Sequence, residues 1–259
     1  MEKNIDALFS RIIDTYCELR NIDKLPEIDI TLTDDIYSEC LRKNLDYFKE
    51  SIENQKEWVN SLNGTIIYPE NRLDKFGILI NLSYIKKCFE ENNINWIGTL
   101  CHELTHVLDY IRAMELRDIN FIEEFTKEND YHLFGYWTEF NARRYGHYLL
   151  RYYTLGDMIK SEESLRDILK REMPFQINYL ASCFQENHNQ IYSTIQFLGR
   201  LKVWKDLFPD YFNKTTLHKI LYENEWIEKL YWYFDDNDSI EKAIDTLDNI
   251  NEILKGYYS

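Results

Sequence analysis

A chain of 259 residues with 44% hydrophobic and 29% charged side chains has the composition of a globular protein and can bury a substantial core, which excludes an extended disordered chain. Its formal charge of −15, from 45 acidic against 30 basic residues, opposes non-specific binding to nucleic acid or anionic membranes. Asn4–Arg20 sets Ile5, Leu8, Phe9, Ile12, Ile13, Tyr16 and Leu19 at helical spacing. After a loop around Pro26, Glu27–Thr33 alternates Ile28, Ile30 and Leu32 as a half-buried strand. Thr33 or Asp34 can cap one long helix reaching about Leu62, and Gly64 stops it. Gly64–Tyr68 and Phe76–Leu82 read as short strands joined by a turn with Pro69, Asn71 and Asp74, and Ser83–Glu91 as a short helix.

Asn95–Met114 is the informative helix, with Asn95 as its expected N-cap. It contains His102-Glu103-Leu104-Thr105-His106, two histidines four apart with a glutamate after the first. At 100° per residue, with His102 at 0°, His106 falls at about 40° and Asp109 at about −20°. One face thus presents two imidazoles, which suit tetrahedral Zn²⁺. Glu103, at about 100°, sits to the side, where a carboxylate can take a proton from water. Leu100, Leu104, Val107, Ile97, Leu108 and Ile111 spread over the opposite face as core. Cys101 reads as a small packing residue rather than a reactive thiol.

Glu115–Asp130 is charged and irregular, with Phe121, Ile122 and Phe125 anchoring a short helical piece. Tyr131–Tyr153 passes from a loop into a helix that carries Trp137-Thr138-Glu139-Phe140-Asn141-Ala142-Arg143-Arg144. Gly135, Ala142 and Gly146 lie within about 60° of Glu139, a small-residue stripe that would let a neighbouring helix come close to the carboxylate. Read from the residues alone, Glu139 is either a metal ligand or a solvated surface acid. From Gly156 onward the pattern is helical, near Phe175–Gln185, Gln190–Lys205, Thr216–Phe234 and Ser239–Leu254, with no further chemistry to name. Tyr231-Trp232-Tyr233-Phe234 reads as packing aromatics.

Five cysteines (Cys17, Cys40, Cys88, Cys101 and Cys183), odd in number and without a Cys-x-x-Cys pair, are the usage of a reducing compartment. The start of the sequence lacks the layout of a signal peptide, and no run approaches about 18 apolar residues, so the expectation is a cytoplasmic protein.

His102-Glu103-Leu104-Thr105-His106 followed by Glu139 in a later helix resembles the gluzincin arrangement of zinc metallopeptidases. The apolar strand Gly77-Ile78-Leu79-Ile80-Asn81, the short helix and the motif helix are similar in layout to intracellular peptidases of the ImmA/IrrE type. Asp109 and the Glu139-Phe140-Asn141-Ala142 run resemble anthrax-lethal-factor-like peptidases. The likeness covers roughly residues 60–150 and is specific only at these motifs. No DNA-binding helix-turn-helix and no toxin-delivery module accompanies it.

What the resemblance implies is an α+β fold: a zincin-like (minimal gluzincin) core over residues 1–155, with a small mixed sheet and an active-site helix, followed by a helical lobe over 156–259. It implies Zn²⁺ held by His102, His106 and Glu139, with Asp109 the rival third ligand and otherwise a residue that orients an imidazole or pairs with Arg143 or Arg144. Glu103 becomes the general base, and a donor should stabilise the oxyanion; Tyr131 and His132, just before the glutamate helix, are candidates by position. Ile78, Leu79 and Ile80, if their strand lies at the sheet edge, would take the substrate as an added strand. The expected activity is hydrolysis of peptide bonds in a particular intracellular protein, without nucleic-acid or membrane partners. The competing expectation is a zinc-containing module that holds a protein without cutting it; another leaves the core as a scaffold for the C-terminal lobe.

Overall fold

The computed structural model describes residues 2–155, 167, 190–210, 212, 221 and 225–258. It is an α+β chain, mostly helical with one small mixed sheet. Two compact units divide it, Met1–Thr126 and Lys127–Ser259. The division falls after residue 126 rather than after 155, so the helix bearing Glu139 belongs to the second unit. Phe175–Gln185, the start of Thr216–Phe234, and Cys183 lie outside the described residues.

The first unit opens with helix α1 (Glu2–Arg20) and strand β1 (Ile28–Thr33). The single long helix expected next is three short ones, α2 (Ile36–Lys43), α3 (Asp46–Ile52) and α4 (Lys56–Ser61). Asn44 makes the first break. It leaves the helical conformation at φ −75°, ψ 163°, and its side-chain oxygen accepts the Tyr68 backbone N–H at 3.0 Å. A side chain able to replace a backbone partner competes with helix continuation here. The cap of α2 is Asp35, whose carboxylate accepts from Ser38 N–H. The neighbouring Asp34 instead accepts from the backbone and hydroxyl of Ser83, each at 2.7 Å.

Strands β2 (Gly64–Ile67) and β3 (Phe76–Asn81) form an antiparallel hairpin with Gly64 opposite Ile80 and Ile67 opposite Gly77. β1 joins β3 in parallel, Ile28 opposite Phe76, so the order is β1-β3-β2. This corrects the expectation for Ile78, Leu79 and Ile80. They lie on the central strand, its backbone paired on both sides and their side chains buried. A strand with both edges occupied cannot accept a peptide as a further strand.

Alternation along the strands gives the sheet two faces. Leu79 and Ile67 pack with Ile36, Cys40 and Val59 of α2 and α4. Gly64, Ile66, Ile78 and Ile80 share the other face, on which helix α6 (Asn95–Leu116) lies: a Cβ on Gly64 would stand 3.0–3.1 Å from Thr99 and Glu103. Helix α5 (Leu82–Glu90), capped by the Asn81 side chain, leads into α6.

Helices α1, α5 and α6 stop by the same device. Asn21, Asn92 and Asp118 take positive φ of 52°, 51° and 55°. The next N–H in each case reaches back five residues, Ile22 to Cys17, Asn93 to Cys88 and Ile119 to Met114. These are Schellman closures, with asparagine or aspartate in the place glycine usually takes. Beyond α6, α7 (Ile122–Thr126) buries Ile122 and Phe125 as expected, whereas Phe121, expected as a third anchor, is exposed. Its approach is tied to the β2–β3 loop, Arg72 N–H to Asn120 O at 2.9 Å and Ile122 N–H to Glu70 O at 3.1 Å.

The second unit is helical throughout its described residues: α8 (Tyr131–Leu155), α9 (Gln190–Leu207), α10 (Glu225–Asp236), α11 (Ile240–Ala243) and α12 (Asp248–Tyr258). Gly199 sets the spacing of α8 and α9. A Cβ there would stand 2.6 Å from Phe140 O and 3.0 Å from Arg143 Cβ. Of the Gly135–Ala142–Gly146 stripe, Gly135 has open space around it, while Ala142 and Gly146 are buried. Phe140 stacks on Phe234 at 4.5 Å, and Tyr231 and Phe234 are fully buried, in keeping with a packing role for that aromatic run. Buried Lys202 bonds Asp206 and Asp235, Lys205 also pairs with Asp235, and Arg144 joins Asp206 at 3.0 Å.

Candidate metal centre

Helix α6 begins at Asn95 rather than one residue later. Ile94 occupies the cap position without a side-chain bond, and Asn93 accepts the Asn95 N–H at 2.8 Å. Thirteen of its 22 residues are buried, including much of the face that carries the chemistry. His102 is 8% exposed and Glu103 7%, while His106 is partly open. A chain of hydrogen bonds fixes the core side of this segment. Thr105, inside the motif, donates to Cys101 O at 2.7 Å, so the 2.7 Å contact with Tyr16 of α1 is made by the tyrosine proton. Arg20 donates to the Tyr16 oxygen in turn, at 2.6 Å. Burial raises the Tyr16 phenol above its ordinary range, so it stays a donor.

The Nε2 atoms of His102 and His106 stand 3.0 Å apart, with the rings at 89° to each other. Two nitrogens each about 2.05 Å from one tetrahedral ion are about 3.3 Å apart, so the pair needs little adjustment to share an ion. Glu103 points along the side of the helix toward the sheet, its Cγ and Oε1 each 3.1 Å from where a Gly64 Cβ would stand. Asp109, one turn beyond His106, is 3% exposed. Cys101 is fully buried, and desolvation, then Cys17, pushes its thiol well above the ordinary range. That keeps it protonated and unreactive, as a packing residue.

Glu139 is 2% exposed on α8, which rules out a solvated surface acid. Its Oε2 accepts from the Tyr192 hydroxyl at 2.6 Å and its Oε1 from Gln196 Nε2 at 2.8 Å. The Arg143 guanidinium lies farther off, 3.6 Å from Oε1, while Arg144 pairs with Asp206 and Asp238. Tyr131 and His132 occupy the first turn of α8 rather than a loop, about 12 Å and about 10 Å along the axis from Glu139. Among the described residues, His102, His106 and Glu139 form a group that can hold a metal ion: each offers one ligand atom, and these atoms lie within 4.8 Å of one another.

No protein-family model, curated protein or solved structure matches the chain. The site therefore has to be read from its own chemistry. Two imidazoles and one carboxylate form a donor set that suits Zn²⁺, and a set of three leaves a fourth position free. Sequence reasoning missed two residues here, Tyr192 and Gln196 on α9. Their spacing of four was visible within a helical pattern, but nothing local marks a tyrosine and a glutamine as partners of a carboxylate more than fifty residues away.

Proposed function

We propose that the protein is a zinc-dependent metallopeptidase with a zincin-like core. The observation that carries this reading is the convergence of His102 and His106 Nε2 at 3.0 Å on one helix whose next residue after the first histidine, Glu103, is a buried carboxylate. Zn²⁺ held by His102, His106 and Glu139 supplies Lewis acidity, lowering the pKa of water and polarising a carbonyl. Glu103 accepts the proton of the attacking water and delivers it to the leaving amine. Asp109 and Arg143 steady the ligands, Asp109 one turn beyond His106 and Arg143 beside Glu139. Tyr131, whose candidacy as oxyanion donor rests on chain position alone, lies about 12 Å along α8 from Glu139 and takes no part in this scheme.

A peptide that adds to the sheet meets β2 rather than β3. β2 pairs only with β3 among the described strands and begins against Glu103. The substrate class is therefore a protein or peptide in extended conformation. Among the described residues no helix is long and apolar enough to cross a membrane, and the unpaired cysteines favour a cytoplasmic site of action.

The alternative of a zinc-containing binding module shares the ligands but has no use for a buried general base. Glu103→Gln separates the two. The amide keeps the shape but cannot take a proton, so the variant should retain metal and fold while losing at least about a hundredfold in hydrolysis. Candidate proteins co-expressed with each form and compared for new fragments provide the measurement. Equal cleavage by both forms would refute the general-base role.

A further inference from the structure

We propose that Tyr192 and Gln196 are positioning residues that hold the Glu139 carboxylate in the orientation in which it meets a metal ion; this rests on the reading of Glu139 as a ligand. Glu139 is almost fully buried, and a buried carboxylate must have its acceptor sites filled. Both oxygens are engaged from one face of α9: Tyr192 donates to Oε2 at 2.6 Å and Gln196 to Oε1 at 2.8 Å, from positions four residues apart. Two donors on two oxygens fix the carboxylate against rotation about its terminal bond. One donor would leave that freedom.

The chemical nature of the donors points the same way. Tyrosine and glutamine are neutral, so they orient the carboxylate without cancelling its charge. The nearby cation, Arg143, stands back at 3.6 Å from Oε1. A carboxylate that served only the packing of the helices would gain more from a close, bidentate arginine. A carboxylate reserved for a cation needs orientation with its charge intact. Tyr192 is also 41% exposed, so its side chain is not held there by the demands of the core. α9 thus contributes directly to the metal centre, where its sequence shows only helical spacing.

The test uses the full-length protein and zinc itself. Zinc affinity is measured by competition with a weak chromophoric chelator for the wild type, Tyr192→Phe, Gln196→Met, Glu139→Ala and Glu139→Ala combined with Tyr192→Phe. The urea midpoint of each metal-stripped protein is recorded in parallel. Loss of an outer partner of a metal ligand typically weakens affinity about 10- to 100-fold, and that loss is expected for Tyr192→Phe and for Gln196→Met, out of proportion to any fall in the midpoint that the unfilled acceptor brings. On the Glu139→Ala background, Tyr192→Phe should add nothing. Wild-type affinity in both single variants, or the same weakening with and without Glu139, or weakening that tracks a lowered midpoint, overturns the positioning role. Wild-type affinity in Glu139→Ala overturns instead the ligand assignment beneath it.

Discussion

At Gly64 a hydrogen atom stands where any other residue would place a carbon 3.0–3.1 Å from Thr99 Cγ2, Glu103 Cγ and Glu103 Oε1. The Glu103 carboxylate, the proposed general base, is therefore fitted against strand β2, and Gly64→Ala must displace either the strand or the carboxylate. Misplacing a catalytic group by a fraction of an ångström is costly. Gly64→Ala is expected to keep its zinc and lose about tenfold in turnover, measured on whichever substrate the Glu103→Gln comparison identifies. Unchanged turnover would show that Glu103 has room to spare. At this scale legibility follows distance along the chain. His102, Glu103 and His106 are readable because one helical turn brings them together and the turn is a constant of the backbone. Gly64 looks like a helix stop in sequence, and its closeness to Glu103 exists only once the sheet and α6 have met.

Among the elements, α1, β2, β3, α5, α6 and α8 were legible from apolar period, and α2–α4 were not. Apolar spacing of three and four runs through Ile36–Leu62 with no proline or glycine to interrupt it, so no local signal marks a break. The break comes from Asn44, which serves Tyr68, a residue 24 positions away. The place of β3 was missed for a related reason. Its continuous apolar run is what a strand covered on both faces shows, and edge or centre depends on pairing partners that the run does not encode. In the α8–α9 pair, His147 is buried beside Trp204, and its Nε2 accepts from Arg151 at 3.3 Å. Burial first, then Arg151, Arg200 and Arg143, depress this imidazole well below its ordinary 6.5. Above that pH both folded and unfolded chains hold it neutral. Below it the unfolded chain takes up a proton that the folded one refuses, so stability falls as the pH falls. Comparing urea unfolding at pH 7.5 and pH 5.5, the wild type should lose about 1.4 kcal/mol more than His147→Gln. Equal losses would mean that His147 protonates without cost in the fold.

For the whole molecule, an acidic α+β chain with a helical C-terminal part was legible from composition and period, and the boundary between its units was not. The resemblance grouped Glu139 with the motif helix, whereas α8 is fitted to α9 through Gly199 and shares the second unit with it. That contact joins residues about sixty positions apart, beyond the reach of any window of periodicity. The sheet order carries a further consequence, for the sequence of events in folding. Eight residues lie between Ile67 and Phe76, so the β2–β3 hairpin closes a short loop. Forty-two lie between Thr33 and Phe76, so the parallel β1–β3 ladder must close a much longer one. The difference in closure entropy is about 1.5 kcal/mol, and the parallel ladder offers slightly less per residue in return. The hairpin should therefore form first and present β3 as a template on which β1 docks late. Pulse-labelled hydrogen exchange during refolding can follow this order. The β3 amides bonded to β2 should gain protection before those bonded to β1, and simultaneous protection would mean that the sheet condenses in a single step.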